Sequence, residues 1–178
     1  EQMVYYNDML IVSAPGKTQG HFEKAGAVYV YKLTNGYYKQ VQKISLPMVF
    51  PNTLFGASII QHDSQIWIGA LLDTKGNYGV LYPYKHDGKE WVSNGNPIVC
   101  PQTNDGSSFG QKTYYYNEQL WVGMPDASVD SSLNVGKMFI YPFAPAMNLV
   151  NNTQDSSLVA FSKEEHLTQQ TINQSKTT

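Results

Sequence analysis

The side chains of this chain with reactive chemistry are His21, His62, His86 and His166, the single Cys100, the serine pairs Ser107-Ser108 and Ser131-Ser132, and the loop carboxylates Asp126 and Asp130. Zinc ligation needs two histidines a helical turn apart, or cysteine and histidine closely spaced. None of the four histidines has such a neighbour. Three of them fall on turns or loops between apolar runs and the fourth in a polar tail, so solvated imidazoles are expected. Cys100 ends an apolar run beside Pro101, which reads as a buried or half-buried structural thiol and not as a nucleophile. Neither serine pair sits in a nucleophile elbow, and no Gly-rich phosphate loop occurs. Asp126 and Asp130 could contribute to a cation site, but two carboxylates in one polar loop are ordinarily just solvated. The expectation is a chain without catalytic residues, metal or cofactor.

Bulk composition points the same way. Charged residues make up only 15% of the 178 residues and the formal net charge is -2, so no basic groove for nucleic acid and no strongly charged membrane-facing surface is expected. With one cysteine, no disulfide can form within the chain. No apolar run is long enough to cross a bilayer as a helix. The chain opens on Glu1-Gln2-Met3-Val4, already inside a strand-like pattern, which suggests that a longer polypeptide continues upstream. What stands out is aromatic content: 13 Tyr, 7 Phe and 3 Trp, punctuated by 14 Gly and 9 Pro, a mixture that favours strands joined by many turns.

Those elements repeat. Met3–Val12 running into Ser13-Ala14-Pro15, Ile59–Ile68 running into Gly69-Ala70-Leu71, and Thr113–Val122 running into Gly123-Met124-Pro125 superimpose. Their spacing of roughly 55 residues lies in the range of four-stranded repeat units. Each reads as strand, tight turn, strand, with Asn7-Asp8, Asp63-Ser64 and Asn117-Glu118 at the turns. A third, aromatic strand follows in each copy: Gly26–Tyr31, Gly79–Tyr84 and Gly136–Tyr141. In the first two copies Asn35-Gly36 and Asp87-Gly88 then turn the chain into fourth strands reaching Ile44 and Val99. The third copy lacks that turn, and the stretch from Ser156 to Phe161 is the candidate for its fourth strand. Pro83 and Pro142 each remove a ladder donor and are expected at bulges or strand ends. Tyr114-Tyr115-Tyr116 falls on a first strand, where packing or channel lining accounts for it. The fold class is therefore all-β: about three four-stranded antiparallel meanders, near residues 1–54, 55–108 and 109–161, followed by a polar tail at 162–178. A lone meander has two apolar faces, so the copies must stack; radial stacking would make a partial β-propeller.

Phe55-Gly56 and Phe109-Gly110 open the second and third copies. Together with the Ser13-Ala14-Pro15, Gly69-Ala70 and Gly123-Met124-Pro125 strand ends and the Asn104-Asp105-Gly106 lead-in, they resemble the FG-GAP repeat of integrin-α-like β-propellers across residues 2–143. The first copy lacks its Phe-Gly, the second has Leu71 for the proline, and the third has Met124 for the alanine. The Asp-rich calcium loop that many such repeats carry between their first two strands is replaced here by a tight turn, so the family's metal site does not carry over.

The resemblance implies a propeller module for binding, interaction or cell adhesion, placed extracytoplasmically in a secreted, cell-surface or periplasmic protein. Its partners would be a protein ligand or neighbouring domains, with neither nucleic acid nor membrane insertion. Family propellers have about six or seven blades. The remaining blades would come from a longer chain or from a second copy of this one. Two alternatives stay open: a propeller accompanying a hydrolase or phospholipase-type domain elsewhere in the polypeptide, and a structural subunit of a large complex. Recognition residues concentrate on loops carried by a rigid scaffold. In this architecture the longer connections share one face, which nominates Lys17, His21, Phe22, Phe50, Asp73, Lys75, Asp105, Asp126 and Asp130 as contacts. The Asn151-Asn152-Thr153 and Asn173-Gln174-Ser175 sequons arise easily by chance in an Asn-rich chain.

Overall fold

The computed structural model describes residues 2–72, 78–101, 108–128, 135–142 and 157–160. The described residues form strands, turns and loops and no helix. The first sheet is a meander of β1 (Met3–Tyr6), β2 (Met9–Ala14), β3 (Ala27–Thr34) and β4 (Tyr37–Ile44), hydrogen-bonded in that order. The second contains β5 (Ser58–His62), β6 (Gln65–Leu72), β7 (Tyr78–His86), β8 (Trp91–Ser93) and β9 (Ile98–Val99). The third contains β10 (Lys112–Tyr116), β11 (Gln119–Met124), β12 (Lys137–Pro142) and β13 (Ser157–Ala160). All pairings within the three sheets are antiparallel.

Local chemistry accounts for the hairpins. Two-residue turns that match the strand twist need left-handed backbone at one or both central positions. Asn7 and Asp8 have φ of 44° and 61°, Asn35 and Gly36 have 52° and 82°, and Asn117 and Glu118 have 49° and 58°. The third copy, without a tight turn, still acquires a fourth strand, because β13 pairs with β12 from Lys137↔Ala160 to Ile140↔Ser157.

The fourth strand of the second sheet departs from expectation. It is broken into β8 and β9, which pair β7 at Tyr84–His86 and at Val80–Leu81 and leave Tyr82 and Pro83 between them outside the ladder on that side, with the Pro83 carbonyl accepting the Asn94 N–H at 2.9 Å. Pro83 has no N–H to offer, and Gly95, at φ 98°, with Pro97 carries the chain around the gap. Pro142, by contrast, ends β12 as expected.

Alternation along the strands gives every sheet two apolar faces. We call "front" the face of the first sheet that carries Val4, Tyr6, Met9, Ile11, Val28 and Val30. It shares a core with the back of the second sheet, where Ile59, Ile66, Ile68, Ala70 and Tyr84 lie. The front of the second sheet carries Ile60, Trp67, Leu81 and Ile98, and these share a second core with Leu120, Val122, Met124 and Phe139 on the back of the third. The same positions recur: Ile11 and Trp67 are both on β-strand fronts, and Ile66 and Leu120 both on backs. Three sheets thus stack in series through two equivalent interfaces.

Phe55 and Phe109 plug these interfaces. Both rings are fully buried, a burial that contributes about 1.5–3 kcal/mol each. Phe55 meets Tyr82 and Tyr84 edge-on at 5.8 and 6.4 Å, and Phe109 meets Phe139 and Tyr141 at 5.4 and 6.5 Å. Backbone bonds hold the first of these lead-ins to the preceding sheet, since the Phe55 N–H donates to the Ala25 carbonyl at 3.1 Å. Gly26, at φ 82°, lies so close to the Phe55 backbone that any Cβ there would collide with it.

Candidate interaction surfaces

Lys17, His21 and Phe22 lie on the connection from β2 to β3, and Phe50 on the lead-in to the second sheet that adjoins it. In the first sheet this connection folds on itself: Gln19 and Phe22 exchange backbone hydrogen bonds at 3.1 and 3.0 Å, and the Gly26 N–H reaches the Lys17 carbonyl at 2.9 Å. The Gln19 side-chain amide adds a bond to the Gly26 carbonyl. The lead-in to the second sheet is then laced onto it, with the Asn52 and Leu54 N–H groups donating to the Glu23 and Lys24 carbonyls, both at 2.9 Å. Thr53 is buried and donates its hydroxyl to the Phe50 carbonyl at 2.8 Å.

This lacing places His21 and Phe22 on a segment adjoining the one that carries Phe50. Phe22 is 40% and Phe50 37% exposed, and Lys17 and His21 are exposed beside them. Two aromatic rings held partly in solvent by a hydrogen-bonded backbone make a surface that can bury apolar area on contact at small entropic cost. Asp126 is exposed as well but belongs to the corresponding loop of the third sheet, where its N–H donates to Ser108 Oγ at 3.2 Å. It is not joined to the Phe22 and Phe50 segments. Asp73, Lys75, Asp105 and Asp130 lie outside the described residues, as do Ser107, Ser131-Ser132, His166, both sequons and the polar tail.

Sequence reasoning missed a second surface at the opposite end. A cleft of about 710 Å³ opens between the first and second sheets, lined by Tyr6, Asn7, Met9, Lys32, Val41 and the 86–89 turn. His86 was expected in solvent; instead its ring packs 5.3 Å from Trp91 and 5.8 Å from Tyr6, and its Nδ1 accepts the Gly88 N–H at 3.2 Å. The Asp87 carboxylate accepts the Lys89 and Glu90 N–H groups, each at 2.8 Å. Those two bonds, the one from Glu90 foremost, hold it below the usual carboxylate range. His62 also departs from expectation, since it stacks on Tyr115 with centroids 3.7 Å apart, across the second and third sheets. The signal for the Tyr115 and Tyr6 contacts lies in another sheet, and no local pattern carries it, whereas Trp91 is the cross-strand partner of His86 in its own hairpin.

Cys100 is buried in the second core with its Sγ 3.9 Å from Met124 Sδ, a packing role. Among the described residues no cluster of three His, Cys, Asp or Glu side chains converges as metal ligands would. Tyr114 and Tyr116, for which packing or channel lining was the expectation, are 67% and 62% exposed on the front of the third sheet. Comparison of the sequence with models of known families and with curated proteins found no match.

Proposed function

We propose that the three sheets are consecutive blades of an FG-GAP-like β-propeller and that the chain is a non-catalytic binding module. It would form part of a larger secreted, surface or assembly protein. The observation that carries this reading is the recurrence of one interface. The front of one meander meets the back of the next twice over, each time with the ring of a Phe-Gly pair wedged against two aromatic side chains of the third strand. Stacking of this kind is what a radial repeat requires.

The recognition surface would be the loop end, with Lys17, His21, Phe22 and Phe50 as its described contacts and a protein as its ligand. Affinity capture from the native source tests this. A partner retained by the wild-type chain should be lost with Phe22→Ala and Phe50→Ala together, and kept with Lys89→Ala at the opposite end. Equal retention by both variants would remove the loop assignment.

A further inference from the structure

The two terminal faces of the stack are the two halves of an interface that the chain already makes twice within itself. The front of the third sheet carries Tyr114, Tyr116, Trp121 and Ile140, because Trp121 pairs with Tyr114 on one side and with Ile140 on the other. Trp121 occupies the position that Trp67 holds in the second sheet, where the indole is 3% exposed against the third. At the other terminus, the back of the first sheet carries Met3, Leu10, Val12, Tyr29 and Tyr31, joined by the pairs Met3↔Val12, Leu10↔Tyr31 and Val12↔Tyr29. Met3 is 69% exposed although its counterpart Ile59 is buried. Leu10 and Val12 are half-buried, whereas their counterparts Ile66 and Ile68 are fully buried. An apolar front and an apolar back of matching register, both left open to solvent, are an association surface.

We infer that the front of the third sheet in one copy of this chain seats the back of the first sheet in a second copy, repeating across two molecules the contact that joins the sheets within one. The inference rests on the stacking described under the proposed function. It fixes the partner as this same chain and the contact as heterologous, front to back. Such a contact closes into a ring of two copies if the rotation allows, and otherwise continues into longer oligomers. The occupant follows from continuity, since among the described residues the complementary register belongs to the faces by which the sheets of this chain already join one another.

Light scattering on the purified 178-residue chain over a range of concentrations decides it. The expected result is a mass of twice the chain or a higher multiple, and a monomer at all concentrations overturns the inference. Direction is tested with two exposed substitutions, Tyr114→Asp on the front and Met3→Asp on the back. Each variant alone should be shifted toward monomer, and an equimolar mixture should recover a one-to-one dimer, because the front of the Met3→Asp chain and the back of the Tyr114→Asp chain are both intact. A Met3→Asp variant that self-associates as well as wild type, or a mixture that stays monomeric, overturns front-to-back docking. Reaction of Cys100 with a thiol reagent separates this failure from failure of the stack itself. A monomer whose Cys100 is protected keeps the internal stack and loses only the second copy. One whose Cys100 reacts like a free thiol loses both.

Discussion

The Ser58 hydroxyl donates to the Gly110 carbonyl across 2.5 Å, joining β5 of the second sheet to the turn that opens the third, 52 residues later. Both residues are buried, and Gly69 beside them has no room for a Cβ between Ser58 and Gly110. A donor removed from a buried carbonyl leaves a polar group desolvated, which costs about 1–3 kcal/mol. Ser58→Ala should therefore lower the free energy of unfolding by that amount, read as a drop in the urea midpoint at unchanged slope. An unchanged midpoint would mean that this bond does not couple the sheets.

The hairpin at Asn117-Glu118 carries a local conflict. Glu118 sits at φ 58°, a region that penalises any residue with a Cβ by about 1–2 kcal/mol. Glycine removes that penalty but gives back part of the gain through a more mobile unfolded chain. Glu118→Gly should stabilise the protein by up to about 1 kcal/mol. The equivalent Asp8→Gly should gain less, because Asp8 Oδ1 accepts a hydrogen bond from the Tyr5 hydroxyl at 3.0 Å that glycine cannot replace. Thermal melts of the two variants side by side check the ordering.

These two sites mark how far the sequence reaches. The turns at Asn7-Asp8, Asn35-Gly36 and Asn117-Glu118 are legible because a two-residue loop is determined by the residues within it. So is the alternation that assigns Ile66 and Trp67 to opposite faces, since side-chain direction in a strand has period two. The break between β8 and β9 is legible only in part: Pro83 announces a missing donor, but where the partner strand yields depends on Gly95 and Pro97 across the sheet. Least legible are the contacts between sheets. His62 on Tyr115, His86 against Tyr6, and the exposure of Tyr114 and Tyr116 all depend on what lies opposite, and strand patterning is silent on that. Of the nominated loop contacts, Phe22 and Phe50 lie on connections that the strand pattern delimits. The lacing of 52 and 54 onto 23 and 24 that brings their two segments together is backbone chemistry with no side-chain signature.

Gln42 and Trp91 form another bond between sheets, and it behaves like a strand pair made by a side chain. Gln42 Nε2 donates to the Trp91 carbonyl at 2.7 Å while its Oε1 accepts the Trp91 N–H at 2.9 Å. Gln42→Ala strips both partners from a buried residue and should cost about 1–3 kcal/mol. Gln42→Glu is the more telling variant. Its carboxylate can still accept from the N–H but faces the carbonyl without a proton, so folding should raise its pKa. Stability of that variant should then be greater below the ordinary carboxylate pKa and fall as pH rises through the raised one, the opposite of a salt-bridged acid. Urea midpoints near pH 4 and pH 7 (about three units apart on the scale of a shifted carboxyl) report the sign directly, with wild type as the reference.

Tyr84 makes the wild-type stack sensitive to alkali. Its ring lies in the first core beside Phe55, and burial pushes its pKa up to about 12 from an ordinary 10.0. The folded state therefore favours the neutral phenol. Its contribution is complete below the unfolded pKa and is lost as pH climbs from about 10 toward 12, because the unfolded chain releases a proton that the folded one retains. Two pKa units correspond to about 2–3 kcal/mol at the alkaline limit. Burial, with the Cys100 charge second, raises Tyr141 in the same direction in the other core, so the two act together. Tyr84→Phe has no proton to lose there. Its unfolding free energy should decline less steeply than that of wild type between about pH 10 and 12, and absorbance titration should show one late-ionising phenol fewer. Equal alkaline slopes for the two proteins would place the Tyr84 hydroxyl in solvent and contradict its packing against Phe55.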